Sequence, residues 1–296
     1  MRLIVTALVI SCCIAACKTN DVTGRSQLRL VPESQAIAAS KQAYAETLAP
    51  LEKEGKVNND PALAQRVERI TERLIPQAIR YRPETENWEW SVKVIDDPKT
   101  VNAWCMAGGR MAVYSGLIQQ IKPSDDELAQ VMGHEITHAL ANHTAERMSV
   151  ALATQLGLAV LSSGSKGQGD AHFAALASVG VLLPNSRTSE SEADRIGIEL
   201  AARAGYDPRA AVTLWEKMGK ASGAGASKFD WLSTHPAPAR RMETLAGLVP
   251  QMLPYYEDQT PRPTYKLKRA ANEMPASPAK PSAGLRTTAG FEFMNQ

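Results

Sequence analysis

Aromatic residues are scarce in this chain of 296 residues, at 5% of positions, and histidines number only five. A core built from so few rings must rest on aliphatic packing, and any cluster of histidines stands out. Charge of one sign is lacking too. Lys and Arg total 33 against 31 Asp and Glu, for a net charge of +2, so the whole-chain balance gives no reason to expect a nucleic-acid partner. No apolar run reaches the roughly 20 residues of a membrane-spanning helix. The longest candidates, Val150 to Leu161 and Phe173 to Leu183, read as core helices or as an apolar flap. Cysteine is sparse, at four, and three of the four lie at the very start: Cys12, Cys13 and Cys17.

That start has the form of a signal peptide. Arg2 precedes the apolar run Leu3 to Ile10, and small residues follow. Ile14-Ala15-Ala16-Cys17 resembles a bacterial lipobox, which implies cleavage before Cys17 and a lipid on its sulfur. The alternative is an ordinary signal peptide or a short uncut anchor. Lys18 rather than Asp after the cysteine resembles sorting to the outer membrane, facing the periplasm. On this reading the membrane is met through the lipid alone. Cys105 is then the sole remaining thiol, an intramolecular disulfide is excluded, and the fold must rest on its core. The expected organisation is a signal peptide over 1–16, a lipidated polar tether over 17–32, one domain over 33–256, and a disordered tail rich in Pro, Lys and Ala over 257–296.

Within the domain, Ser34 to Glu54 is Ala-rich and reads as a helix. Asp60-Pro61 opens another, with an N-cap acid and Pro at the first position, and Leu63, Val67, Ile70 and Leu74 form its apolar stripe. Trp90, Val92 and Val94 alternate with Ser91 and Lys93 as in a strand. Val101 to Ala107, then Gly108-Gly109, then Arg110 to Ser115 reads as a hairpin with a glycine turn. The fold class expected is α+β, mainly helical, with active-site helices packed on a small β-sheet.

The chemistry centres on QVMGHEITHALANH. Ser124-x-x-Glu127 is a capping box that opens a helix after Pro123, and Leu128, Val131, Met132 and Ala139 give it apolar spacing. Positions four apart share a helix face, so His134 and His138 can aim at one metal ion, with Glu135 placed to reach a water beside it. Such a metal needs a third protein ligand and one open position. After Pro184, Glu190 and Asp194 lie four apart on a second expected helix that Gly205 closes. Glu190 is a candidate ligand there and Asp194 a candidate support for a ligand histidine, while a solvated acidic face is an equal reading. Glu192 is expected to face solvent.

HEITH followed by Glu190-x-x-Ala-Asp194 resembles the gluzincin metallopeptidases of the CAAX prenyl protease and HtpX type, especially their soluble, lipid-anchored bacterial branch. Asn102-Ala103-Trp104-Cys105 through Gly108-Gly109 resembles the family's substrate strand and glycine turn. Thr234-His235-Pro236, with Arg241 downstream, resembles its late His-Pro-x4-Arg element. The resemblance spans roughly Asp60 to Leu248. It implies a zincin-like catalytic domain holding one Zn²⁺ per chain through His134, His138 and Glu190, with Glu135 as general base. It makes His235 either an oxyanion stabiliser or a gate over the metal, and pairs Arg241 with a site carboxylate. Cys105 falls near the metal, as a competing ligand or a small buried hydrophobe. The substrates implied are extended stretches of misfolded cell-envelope protein, bound along a strand edge. The competing reading, from a different class, is a gated zinc-binding chaperone lipoprotein.

Overall fold

The computed structural model describes residues 17–162, 185–223, 234–235 and 240–267. The signal segment, the Gly/Ser-rich loop after Ser163, the run Phe173 to Leu183 and the tail beyond 267 lie outside the described residues. Two short strands, β1 (Cys17–Thr19) and β2 (Ser26–Leu28), precede helices α1 (Glu33–Lys53) and α2 (Pro61–Tyr81). A 3-10 turn (Pro83–Asn87) leads into β3 (Ser91–Ile95), β4 (Ala103–Met106) and β5 (Arg110–Tyr114). Among the described residues six helices follow: α3 (Ser115–Ile121), α4 (Asp125–Leu140), α5 (His143–Ser162), α6 (Arg187–Arg203), α7 (Ala210–Gly223) and α8 (Arg241–Glu257). The expected α+β class, mainly helical with a small sheet, is what the chain adopts.

The local signals place the helices well. Asp60 caps α2, accepting from the amides of Ala62 and Leu63, with Pro61 at the first helical position. Ser124 accepts from the Glu127 amide at 3.2 Å, and the Glu127 carboxylate accepts from the Ser124 amide at 2.8 Å, so the capping box is reciprocal. Ser186 caps α6 in one direction, its hydroxyl accepting from the Ser189 amide at 3.0 Å. Caps of this kind contribute about 1 kcal/mol each.

In the three-stranded sheet β5 is central, parallel to β3 and antiparallel to β4. The expected hairpin is present, with Cys105 opposite Met111. Its turn needs glycine: Gly109 has φ +84°, and a Cβ there would stand 2.6 Å from the Trp90 ring. Trp90, Val92, Val94, Met111 and Val113 join Ile70 and Leu74 of α2 and Leu128, Met132 and Ile136 of α4 in one core. From Glu127 to Leu140 every residue of α4 is buried, so this helix is the centre of the fold rather than an amphipathic wall. No helix among the described residues is long and apolar enough to cross a membrane.

Two segments depart from expectation. The stretch read as a tether folds into the β1–β2 hairpin, and the side-chain amides of Asn20 and Gln27 both donate to the Ala141 carbonyl at 2.8 Å. Those bonds satisfy an orphan carbonyl at the C-terminal end of α4, a non-local demand that polar composition does not reveal. Residues 258–267, read as the start of a disordered tail, lie along α2. The Tyr265 amide donates to the Glu72 carbonyl, and Tyr265 and Leu267 pack on the core. Arg262 anchors the segment by donating to the carbonyls of Tyr255, Tyr256 and Asp258.

Candidate metal centre

Helix α4 packs more extensively on α6 than on any other element, and this pairing brings the two halves of the site together. His134 and His138 present their Nε2 atoms to each other at 3.1 Å. Glu190, fully buried on the first turn of α6, sets Oε2 at 3.5 Å from His134 Nε2 and Oε1 at 3.4 Å from His138 Nε2. His235 brings Nδ1 to 3.0 Å from Glu190 Oε1 and 3.3 Å from His134 Nε2. One donor atom from each of His134, His138, Glu190 and His235 thus lies within 4.8 Å of every other, all four residues being buried. Three imidazole nitrogens and one carboxylate, packed this closely in the interior, fit a four-coordinate divalent metal.

The electrostatics agree with a pocket shaped for a cation. Burial alone would lower the His134 imidazole, but hydrogen bonds with Asp194 and Glu190 outweigh it and raise the group to about 9. Burial would raise the Glu190 carboxyl, yet the imidazoles of His134, His138 and His235 hold it far below the usual carboxylate range. For His138 burial prevails and the ring is held neutral, the form a ligand imidazole needs.

Behind the cluster His134 and His138 each have a partner on the other nitrogen. His134 Nδ1 lies 3.0 Å from Asp194 Oδ1, as expected of a carboxylate that fixes ring orientation and tautomer. Arg241 joins the two acids of α6, donating through Nη1 to Glu190 Oε2 at 3.1 Å and through Nη2 to Asp194 Oδ1 at 2.5 Å. Its guanidinium lies over Trp215, 3.9 Å from the ring centre. The partner of His138 is His143, a residue to which spacing assigned nothing. Glu192 is not solvent-facing: it reaches His143 and Arg25 and has 12% side-chain exposure. Arg25, which the Glu192 carboxylate meets, comes from the N-terminal hairpin and so was out of reach of α6 periodicity.

Glu135, 2% exposed, stands beside the cluster rather than in it, with Oε1 at 3.4 Å from His235 Nε2. It lines a cleft with about 450 Å³ of empty space, together with Asn102, Ala103, Trp104, Cys105, His138 and His235. Strand β4 is an edge of its sheet. Asn102 accepts from the Tyr114 amide, so alternation of the antiparallel ladder turns the backbone groups of Ala103 and Cys105 away from β5, toward the open edge. Gly108 and Gly109 do not line the cleft; they shape the turn that holds β4. Cys105 is outside the donor cluster. Burial, with the Glu135 charge adding to it, pushes its thiol well up, so it is a small buried hydrophobe rather than a thiolate. Arg147 of α5, absent from the sequence reading, also lines the cleft, and burial lowers its guanidinium to about 10. Its only sequence signal is position: it lies four residues after His143 on α5.

The model of peptidase family M48 matches residues 61–249. Among curated proteins, the mitochondrial metalloendopeptidase OMA1 of Schizosaccharomyces pombe is 39% identical over 165 residues, 55% of this chain and 48% of its own. Metalloprotease LoiP of Escherichia coli is 29% identical over 254 residues, covering 82% of this chain and 94% of its own. The beta-barrel assembly-enhancing protease of Yersinia pestis is 27% identical over 205 residues, 66% of this chain and 41% of its own. The chain thus spans about half the length, or less, of the OMA1 relatives it matches.

Proposed function

The chain belongs to peptidase family M48, and on that premise we propose that it is a zinc-dependent endopeptidase acting on extended stretches of misfolded or unassembled cell-envelope protein. The observation that carries this reading is the buried set His134, His138, Glu190 and His235, with donor atoms within 4.8 Å of one another, opening on a cleft that Glu135 lines. In it, His134, His138 and Glu190 would hold one Zn²⁺, with Asp194 and Arg241 fixing these ligands and Glu135 serving as the base. A zinc ion there would act as a Lewis acid toward a peptide carbonyl and lower the pKa of water.

The chain's own residues do the rest. The backbone of Ala103 and Cys105 pairs with the substrate as an added strand, which holds the peptide extended whatever its side chains. Glu135 takes the proton of the attacking water on its carboxylate and returns it to the departing amine. His235 caps the site: its ring lies between Glu135 and Glu190, in the space that water and scissile carbonyl require. Cleavage therefore needs His235 to give way. The cap also accommodates the chaperone-like alternative, because a protein whose cap never opened would bind without cutting.

We place the protein at the outer membrane facing the periplasm, held by a lipid on Cys17. The lipobox-like Ile14-Ala15-Ala16-Cys17, with Lys18 rather than Asp after the cysteine, supports that placement. The test is cleavage of casein by the zinc-loaded protein and by Glu135→Gln. The expected outcome is cleavage by the first and a rate lower by about 10²–10⁴ for the second. Equal cleavage by both removes Glu135 from its role, and none by either, with zinc bound, favours the binding protein.

A further inference from the structure

His138 and His143 face each other across the break between two helices. After α4 the chain turns at Ala141 and Asn142, with Asn142 in the left-handed region at φ +55°, and α5 begins at once with His143. This reversal folds His143 back against the last turn of α4 and sets its Nδ1 at 2.7 Å from Nδ1 of His138. His143 is 1% exposed, and its other nitrogen, Nε2, lies 3.0 Å from Glu192 Oε2. Glu192 receives Arg25 Nε at 2.8 Å, and Arg25 also grips Glu146 with two bonds of 2.7 Å. Five side chains from four elements, β1–β2 included, thus form one connected line ending on a candidate metal ligand.

Hydrogen positions along this line follow from the heavy atoms. His138 turns Nε2 toward the donor cluster, so as a neutral ligand it carries its proton on Nδ1. At 2.7 Å, His143 Nδ1 must then be the acceptor, since two N–H groups or two lone pairs would repel at that distance. His143 accordingly carries its proton on Nε2 and donates it to the Glu192 carboxylate, which accepts from Arg25 as well. One tautomer assignment satisfies every member and leaves the His138 lone pair aimed inward.

We propose that His143 is a positioning residue that fixes the ring and tautomer of His138 for metal binding, and that Arg25 and Glu192 hold His143 in turn. The N-terminal hairpin is therefore part of the metal site's support. It is the counterpart, for His138, of what Asp194 does for His134, with a second imidazole interposed between ligand and carboxylate. The inference rests on the reading of His138 as a ligand.

The test compares zinc dissociation constants, by competition with a chromogenic chelator, for wild type, His143→Ala, His143→Gln, Glu192→Gln and Arg25→Gln, with the visible spectrum of the cobalt(II) form of each. His143→Ala is expected to weaken zinc binding about 10–100-fold and to change the cobalt spectrum. His143→Gln is expected to recover most of that loss, because its amide can accept from His138 and donate to Glu192. Glu192→Gln and Arg25→Gln are expected to weaken binding a few-fold. A merely structural role would lower thermal stability in His143→Ala while leaving zinc affinity and the cobalt spectrum of the folded protein unchanged, and that result overturns the proposal. If His143→Ala does not fold, Gln at 143 and at 192 decide: wild-type affinity and wild-type spectrum in Glu192→Gln overturn it. His134→Ala is the control for the underlying reading. Retained zinc there means the ligand assignment itself is at fault, whereas loss there with no change at His143 rejects the relay alone.

Discussion

Gly133 and Gly197 meet backbone to backbone where α4 crosses α6. A Cβ on Gly133 would stand 2.7 Å from the Gly197 carbonyl oxygen, and a Cβ on Gly197 would stand 2.8 Å from the backbone nitrogen of His134. The crossing point is thus one residue from a candidate ligand, and the absence of two side chains lets Glu190 and Asp194 come within reach of the histidines. Gly197→Ala gains about 1 kcal/mol of helix propensity, but the clash is with backbone and cannot be relieved by a rotamer. The net expectation is destabilisation of about 1–3 kcal/mol with loss of bound metal. Urea unfolding and metal content measured together check this; an alanine variant as stable and as metal-rich as wild type would refute the close-crossing account.

What could be seen in the sequence was what local chemistry determines. The caps at Asp60 and Ser124, the i, i+4 pairs His134/His138 and Glu190/Asp194 and the glycine turn at 108–109 each depend on neighbours a few residues away, and each has its expected form. The relations that escaped are those between segments far apart in the chain. Arg25 meets Glu192, and the amides of Asn20 and Gln27 meet the Ala141 carbonyl, through folding alone. Periodicity read Glu192 as solvent-facing because it lies two residues off the Glu190 face; the hairpin that covers it cannot be inferred from helix spacing. Gly133 and Gly197 were visible as residues but not as a pair.

His235 gives a prediction whose sign separates its two expected roles. Both ring nitrogens face the site, Nδ1 toward Glu190 at 3.0 Å and Nε2 toward Glu135 at 3.4 Å. A cap in that position excludes substrate, so His235→Ala should cleave casein several-fold faster than wild type, with zinc retained. A fall of about 10² or more would assign the ring to stabilising developing charge instead.

Glu127 links the start of α4 to α7. Burial would raise its carboxyl, but the Lys217 ammonium at 2.6 Å, the Ser124 amide and the Thr213 hydroxyl lower it below 4.5. A carboxyl with a depressed folded pKa stabilises fully above its unfolded value, near 4.5, and that contribution disappears as pH falls through the folded value. Glu127→Gln is therefore expected to cost about 1–2 kcal/mol at pH 7 and progressively less below about pH 4.5. Unfolding midpoints of the two proteins across pH 7 to 3 should converge; a gap that stays constant or widens in acid would reject the linkage.

Arg241 is 3% exposed and serves two carboxylates at once, Glu190 and Asp194, while lying flat on Trp215. A lysine brings one compact charge and cannot reproduce that fork, so Arg241→Lys should weaken zinc binding although the net charge is kept. Arg241→Met removes the charge and leaves two buried acids side by side on one face of α6. In metal-free protein this should cost about 3–5 kcal/mol, the usual penalty for stranding a buried charge. A divalent ion held by Glu190 and the histidines supplies the missing positive charge, so the deficit should shrink once zinc is added. Thermal unfolding of wild type and Arg241→Met, with zinc and with chelator, measures both deficits. Equal deficits in the two conditions would mean that the Arg241 charge and the metal do not act on the same carboxylates, and the placement of Glu190 between them would have to be abandoned.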